Sequence, residues 1–145
     1  MNDFFAQLYE FFGTVYIEGF SDDLYNSGLY VTIGLMMIGI SIFGMSIFYI
    51  FKEQKPLFFR LSAWFIFLII IGIINFIIAF SFSANTLELI YAEQNQDIPY
   101  SSSSFVGLGI INLAWSMLFS FVTSVVIQLL WHNKHSDIPF HKSQK

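Results

Sequence analysis

Five residues in the last third of the chain follow one another at three- and four-residue steps: Gly109, Asn112, Ser116, Ser120 and Thr123, with Ser124 and Gln128 flanking them. Such steps place side chains on one face of a helix. Amides and hydroxyls striped along an otherwise apolar run have two uses. They can hydrogen-bond to a neighbouring helix, each bond being worth about 0.6 kcal/mol on average in lipid. They can also line a permeation surface shared between copies of the chain. The first use carries more weight here, because no Asp, Glu, Lys or His falls inside any of the three long apolar runs. Proton relays and ion-coupled transporters depend on such groups.

A second polar residue is isolated within its own apolar run. Asn75 shares a helical face with Gly72, Ala79 and Ser83. An amide in hydrocarbon needs a partner, and the depths of Asn75, Asn112 and Ser116 in antiparallel helices predict a seam between them. Small residues mark the first apolar run as well. Thr32, Gly39 and Ser46 are spaced by seven and share one face, while Gly34 and Ser41, with Gly44 nearby, form another. Small side chains let helix backbones approach closely in lipid, so this run is expected to make contacts on two sides.

Other chemistry is thin. His132, His135 and His141 lie near Asp137 in the C-terminal segment, but a solvated tail with no fourth ligand is the simpler reading of them. Glu88, Glu93 and Asp97 have no supporting base or nucleophile. No phosphate-binding loop, dinucleotide fingerprint or nucleophile–base pairing occurs. The chain has no Cys, which removes disulfides, thiolate metal sites and Cys nucleophiles. No catalytic residue, metal or cofactor is expected.

The elements that must position these residues are helices in a membrane. Of the 145 residues, 56% are hydrophobic and 11% charged, against about 25% charged in a soluble domain. Uncharged runs at 29–51, 61–82 and 105–131 are each long enough to cross a hydrocarbon core of about 30 Å. The predicted fold class is an all-α integral membrane protein with three transmembrane helices and an N-terminal amphipathic interfacial helix. Residues 1–28 form the helix and its linker, 29–131 the transmembrane domain with a polar loop at 83–104, and 132–145 a tail. Within 2–19, Phe4, Phe5, Leu8, Phe11, Phe12 and Val15 share an apolar arc opposite an acidic one. The acidic arc rules out attraction to anionic lipid as its driving force, leaving the membrane surface or a partner as its seat. The first 28 residues lack the basic start of a signal peptide, so the N-terminus is expected to be retained. Ser21, followed by Asp22 and Asp23, reads as a helix start, with Asn26–Ser27 as a second.

All six Lys and Arg lie in the turn at 52–60 (Lys52, Lys55, Arg60) or in the tail (Lys134, Lys142, Lys145). Pro56 suits the first turn of the second helix, and Arg60 is placed to snorkel. The positive-inside rule then predicts the turn and tail in the cytoplasm and the N-terminus and 83–104 loop outside. The net charge of −4 excludes a nucleic-acid partner. Abundant Ile, Phe and Asn suggest an AT-rich bacterial genome and a cytoplasmic membrane. The expected function is a non-enzymatic anchoring subunit of a larger bacterial membrane complex, such as an envelope or secretion machine. Its partners would be lipid and other membrane subunits or further copies of the chain. The alternatives are a homo-oligomeric channel or transport subunit lined by the Asn112–Thr123 stripe, and a membrane-active toxin or defence effector.

Overall fold

The computed structural model describes residues 1–10, 16–54 and 61–131. Five helices follow in order: α1 (Asn2–Tyr9), α2 (Phe20–Asn26), α3 (Leu29–Gln54), α4 (Leu61–Glu93) and α5 (Ser102–Trp131). No strand occurs among the described residues. Three of the helices are long and apolar enough to cross a membrane, so the chain is an all-α membrane protein. Phe11, Phe12 and Val15, the turn from 55 to 60 and the histidine-bearing tail lie outside the described residues.

The direction of each long helix follows from its contacts. The Asn112 amide donates to the main-chain oxygen of Asn75, and Trp64 Nε1 donates to Ser124. Residue numbers fall along α4 as they rise along α5, so the two are antiparallel. Ser41 meets Ser116 and Tyr49 meets Ser124, so α3 runs parallel to α5. The result is an up-down-up bundle with α5 packed against both of its neighbours. Large apolar side chains cover the outside, among them Phe43, Ile66, Ile77, Ile110 and Leu118, as expected where lipid is the solvent.

Several boundaries differ from the sequence reading: α1 ends at Tyr9, well short of residue 19, α3 runs three residues past Phe51, and α4 and α5 are both extended. The second long helix does not stop at Phe82 but continues to Glu93, for roughly 50 Å in all. No Gly or Pro interrupts residues 73–98, and the Ser83 hydroxyl bonds back to the Ala79 carbonyl at 2.6 Å without leaving the helix. Leu87 lies buried with Phe20, Leu24 and Leu29 in one cluster. The polar stretch begun at residue 83 is therefore helix for half its length, and the chain turns only at Asn95, whose φ is +54°. The third long helix likewise starts at Ser102, three residues before Phe105.

At the N-terminal side, α2 takes Gly19 as its N-cap, with φ +79°, and carries Asp22 and Asp23 in its first turn. Ser21 does not cap the helix; its Oγ accepts from the Ile17 N–H. Gly28, at φ +70°, turns the chain from α2 into α3, a conformation that costs glycine little.

Candidate functional site

The polar stripe of α5 points inward. Asn112, Ser116, Ser120 and Ser124 are essentially inaccessible, as are Ser41 of α3 and Asn75 and Ser83 of α4. From Asn112 to Gln128, with Ser41 and Asn75 beside them, they form a file of amides and hydroxyls extending roughly 24 Å along the bundle, and Ser83 lies about 12 Å beyond its Asn112 end. Thr123 stands at the edge of this file, half-buried. Gly72, Asn75 and Ala79 are all buried against α5, with Leu113 and Met117 beside Gly72.

The file has two denser ends. Toward Lys52, the Tyr49 hydroxyl shares a hydrogen bond with Ser124 Oγ at 2.7 Å and accepts from Gln128 Nε2 at 2.7 Å. Trp64 Nε1 donates to the same Ser124 oxygen at 2.9 Å. The Lys52 ammonium lies over the Tyr49 ring, 5.4 Å from its centroid, a favourable cation–π position. Toward α2, Asn112 bridges two elements: its Nδ2 donates to Asn75 O at 2.8 Å, and its Oδ1 accepts from Tyr9 OH at 2.5 Å. Between the ends, Ser41 Oγ donates to the Ser116 carbonyl and Ser116 Oγ to Leu113 O.

Tyr9 belongs to α1, and its reach to Asn112 places that helix on the bundle itself. α1 packs across α3 and α5. Trp115 Nε1 donates to Leu8 O at 2.9 Å, and the Tyr9 ring stacks on Tyr30 at 5.6 Å. Gly34 admits the Phe5 ring so closely that a Cβ there would overlap it. The amphipathic arc read from sequence is thus corrected in two respects. Its seat is a groove of the same chain, and the buried face is Phe5, Ala6 and Tyr9. Phe4 is 58% exposed and Leu8 only partly covered. The groove fixes this choice: Gly34 leaves room for one ring, and the phenol that reaches Asn112 is one turn further along.

The two small-residue faces of α3 have different fates. Gly34 and Ser41 are buried inside the chain, and Gly44 abuts Ile71, 2.7 Å from where a Cβ would stand. On the other face Gly39 is exposed, with no atom within 4 Å of its Cβ position. Thr32 and Ser46 beside it are half-buried and bond to their own helix, at Gly28 O and Ile42 O.

Sequence reasoning missed the tyrosines. All seven Tyr make a side-chain hydrogen bond. Asp3 accepts from Tyr25, Asp22 from Tyr16 and Glu10 from Tyr30. Asp23 takes both Tyr91 and Tyr100 at 2.6 Å, joining α2, the end of α4 and the connection to α5. Burial and then the bond to Asp23 push the Tyr100 phenol well above its ordinary range, and burial does the same to Tyr9. Both therefore serve as donors. The signal was present: this end of the molecule has carboxylates but no Lys or Arg, so a neutral donor had to meet them. Among the described residues no group of His, Asp and Glu could hold a metal ion. The arrangement joins helices through hydrogen bonds.

Comparison with known proteins adds no relative: no family model matches the chain, and neither a curated protein nor a solved structure matches it significantly.

Proposed function

We propose that this chain is a non-enzymatic anchoring subunit of a larger membrane assembly. One observation supports this reading above the others. Asn112, Ser116, Ser120 and Ser124 of the α5 stripe are buried within the chain, while the Thr32–Gly39–Ser46 face of α3 is left outside with open space over Gly39. A bundle complete in its interior, with a close-approach face on its exterior, is suited to receive another transmembrane helix. The same burial counts against a homo-oligomeric pore, since Asn112 and Ser116 would have to leave their present partners, and Ser120 its enclosed position, to face a shared axis. The charge distribution supports an orientation with α1 and α2 outside and the 52–60 turn and tail inside, and the abundance of Ile, Phe and Asn supports a bacterial cytoplasmic membrane as the location.

The absence of Cys makes the test direct. Single cysteines at Gly39 and Phe43 on α3 are compared with one at Ile77, on the lipid-facing side of α4. In native membranes the two α3 positions should cross-link to another polypeptide and Ile77 should not. Equal cross-linking at all three, or purification as a lone monomer, would remove the anchoring reading.

A further inference from the structure

We propose that the polar seam binds internal water at two points, Asn75 and Ser120. Asn75 Oδ1 and Ser120 Oγ are enclosed side-chain atoms with no hydrogen-bond partner in the chain. Both residues are 0% exposed. The Asn75 amide nitrogen is engaged with Ile71 O at 3.1 Å, which leaves its oxygen facing the seam without a donor.

Enclosure decides which ligand can serve. A partner helix or a lipid headgroup cannot reach an atom that its own chain covers completely. The polar side chains of α5 bond elsewhere: Asn112 Nδ2 donates to Asn75 O and Ser116 Oγ to Leu113 O. In hydrocarbon, an unmet polar group is more costly than in a soluble core, because no bulk water stands behind it. A water molecule is small enough, and it both donates to an orphaned acceptor and accepts from an orphaned hydroxyl. The two points are about 12 Å apart along the bundle, since Asn75 is level with Asn112 and Ser120 is two turns beyond. One water cannot serve both. Ser116 lies between them in depth, and its hydroxyl lone pairs provide a further acceptor for either site. The sites would explain how α4 and α5 tolerate two groups that the hydrogen bonds of the seam leave unmet.

Water-edited solid-state NMR of the full chain in phosphatidylcholine vesicles tests this. Magnetisation from water should reach the Asn75 side-chain amide and Ser120 several-fold faster than it reaches Ile71, a buried neighbour one turn from Asn75. Build-up at Asn75 and Ser120 no faster than at Ile71 would overturn the proposal. The Ser120→Ala variant supplies the second arm. It should lose the rapid transfer at residue 120 while keeping it at Asn75. If transfer at 120 survives unchanged in that variant, the hydroxyl does not hold the water and the Ser120 site is wrong.

Discussion

Gly34 shows how much one missing methyl group decides. The Phe5 ring lies on the backbone of α3 at this position, in the space any Cβ would take. α1 has eight residues, too few for a helix to persist alone in water, so its structure depends on this seat together with the Tyr9 and Trp115 bonds. In Gly34→Ala the ring must shift, and α1 should be destabilised on the bundle by about 1–3 kcal/mol, the range for overpacking. Hydrogen exchange across residues 2–9 should rise while exchange in α4 and α5 stays as it was. Adding Phe5→Leu should restore part of the protection by shrinking the clashing group while keeping an apolar side chain in the seat. If the double variant exchanges faster than the single one, the ring contact is not what the substitution disturbs. From the sequence, Gly34 was readable as a close-approach position but its occupant was not. Nothing local distinguishes a glycine awaiting a ring of its own chain from one awaiting a neighbour's helix.

At the scale of elements, the three long helices were legible because hydrocarbon imposes one requirement on every residue of a span. Uninterrupted apolar composition over the needed length is enough to read it. The ends of those helices were less legible. A polar stretch beginning at Ser83 reads as a loop when composition is the guide, yet the helix continues because Leu87 is buried and Tyr91 is bonded to Asp23. These partners come from α2 and from residue 100, remote in sequence. The extension therefore rests on tertiary contact, and the Asp23 carboxylate is its centre. Asp23→Ala removes the carboxylate that Tyr91 and Tyr100 share and leaves them only each other, at 3.2 Å. A bond to a charged acceptor contributes about 1.5 kcal/mol or somewhat more, and one of the two, that of Tyr91, is made from α4, so exchange over residues 87–93 should quicken roughly tenfold. The middle of α4, residues 71–79, should be unaffected. A uniform change along the whole helix would mean that α2 stabilises the bundle globally and does not merely hold the end of α4.

The whole molecule combines an interior in which helices are joined by hydrogen bonds with two ends of opposite chemistry. The polar seam was partly legible: the faces of α4 and α5 followed from their spacing, and the antiparallel depths brought Asn75 beside Asn112. The engagement of that seam by Tyr9, from more than a hundred residues away, was not legible, because short-range periodicity carries no information about which groove a helix enters. The asymmetry of the ends has a consequence for orientation. At the α2 end every described carboxylate with a bonded side-chain partner is met by a tyrosine, and residues 1–28 and 83–104 contain no Lys or Arg; at the other end Lys52 lies beside Tyr49 and further basic residues follow in the sequence. Moving Lys or Arg across a bilayer during insertion is disfavoured, whereas carboxylates have little influence on orientation. The α2 end is thus the one expected to be translocated. Single cysteines at the exposed Ser103 and at Ser143 in the tail discriminate between the orientations, since the natural chain offers no competing thiol. In intact cells a membrane-impermeant maleimide should label position 103 and leave position 143 unlabelled until the membrane is permeabilised. Cancelling the charge asymmetry, with Lys52, Lys55 and Arg60 changed to Gln and three Lys introduced at Gln94, Gln96 and Ser103 so that each side carries three, should increase labelling of a cysteine at position 143 in intact cells. If labelling at 143 does not respond to that exchange, orientation is set by something other than the basic residues, and the placement of α1 and α2 outside the cell would have to be abandoned.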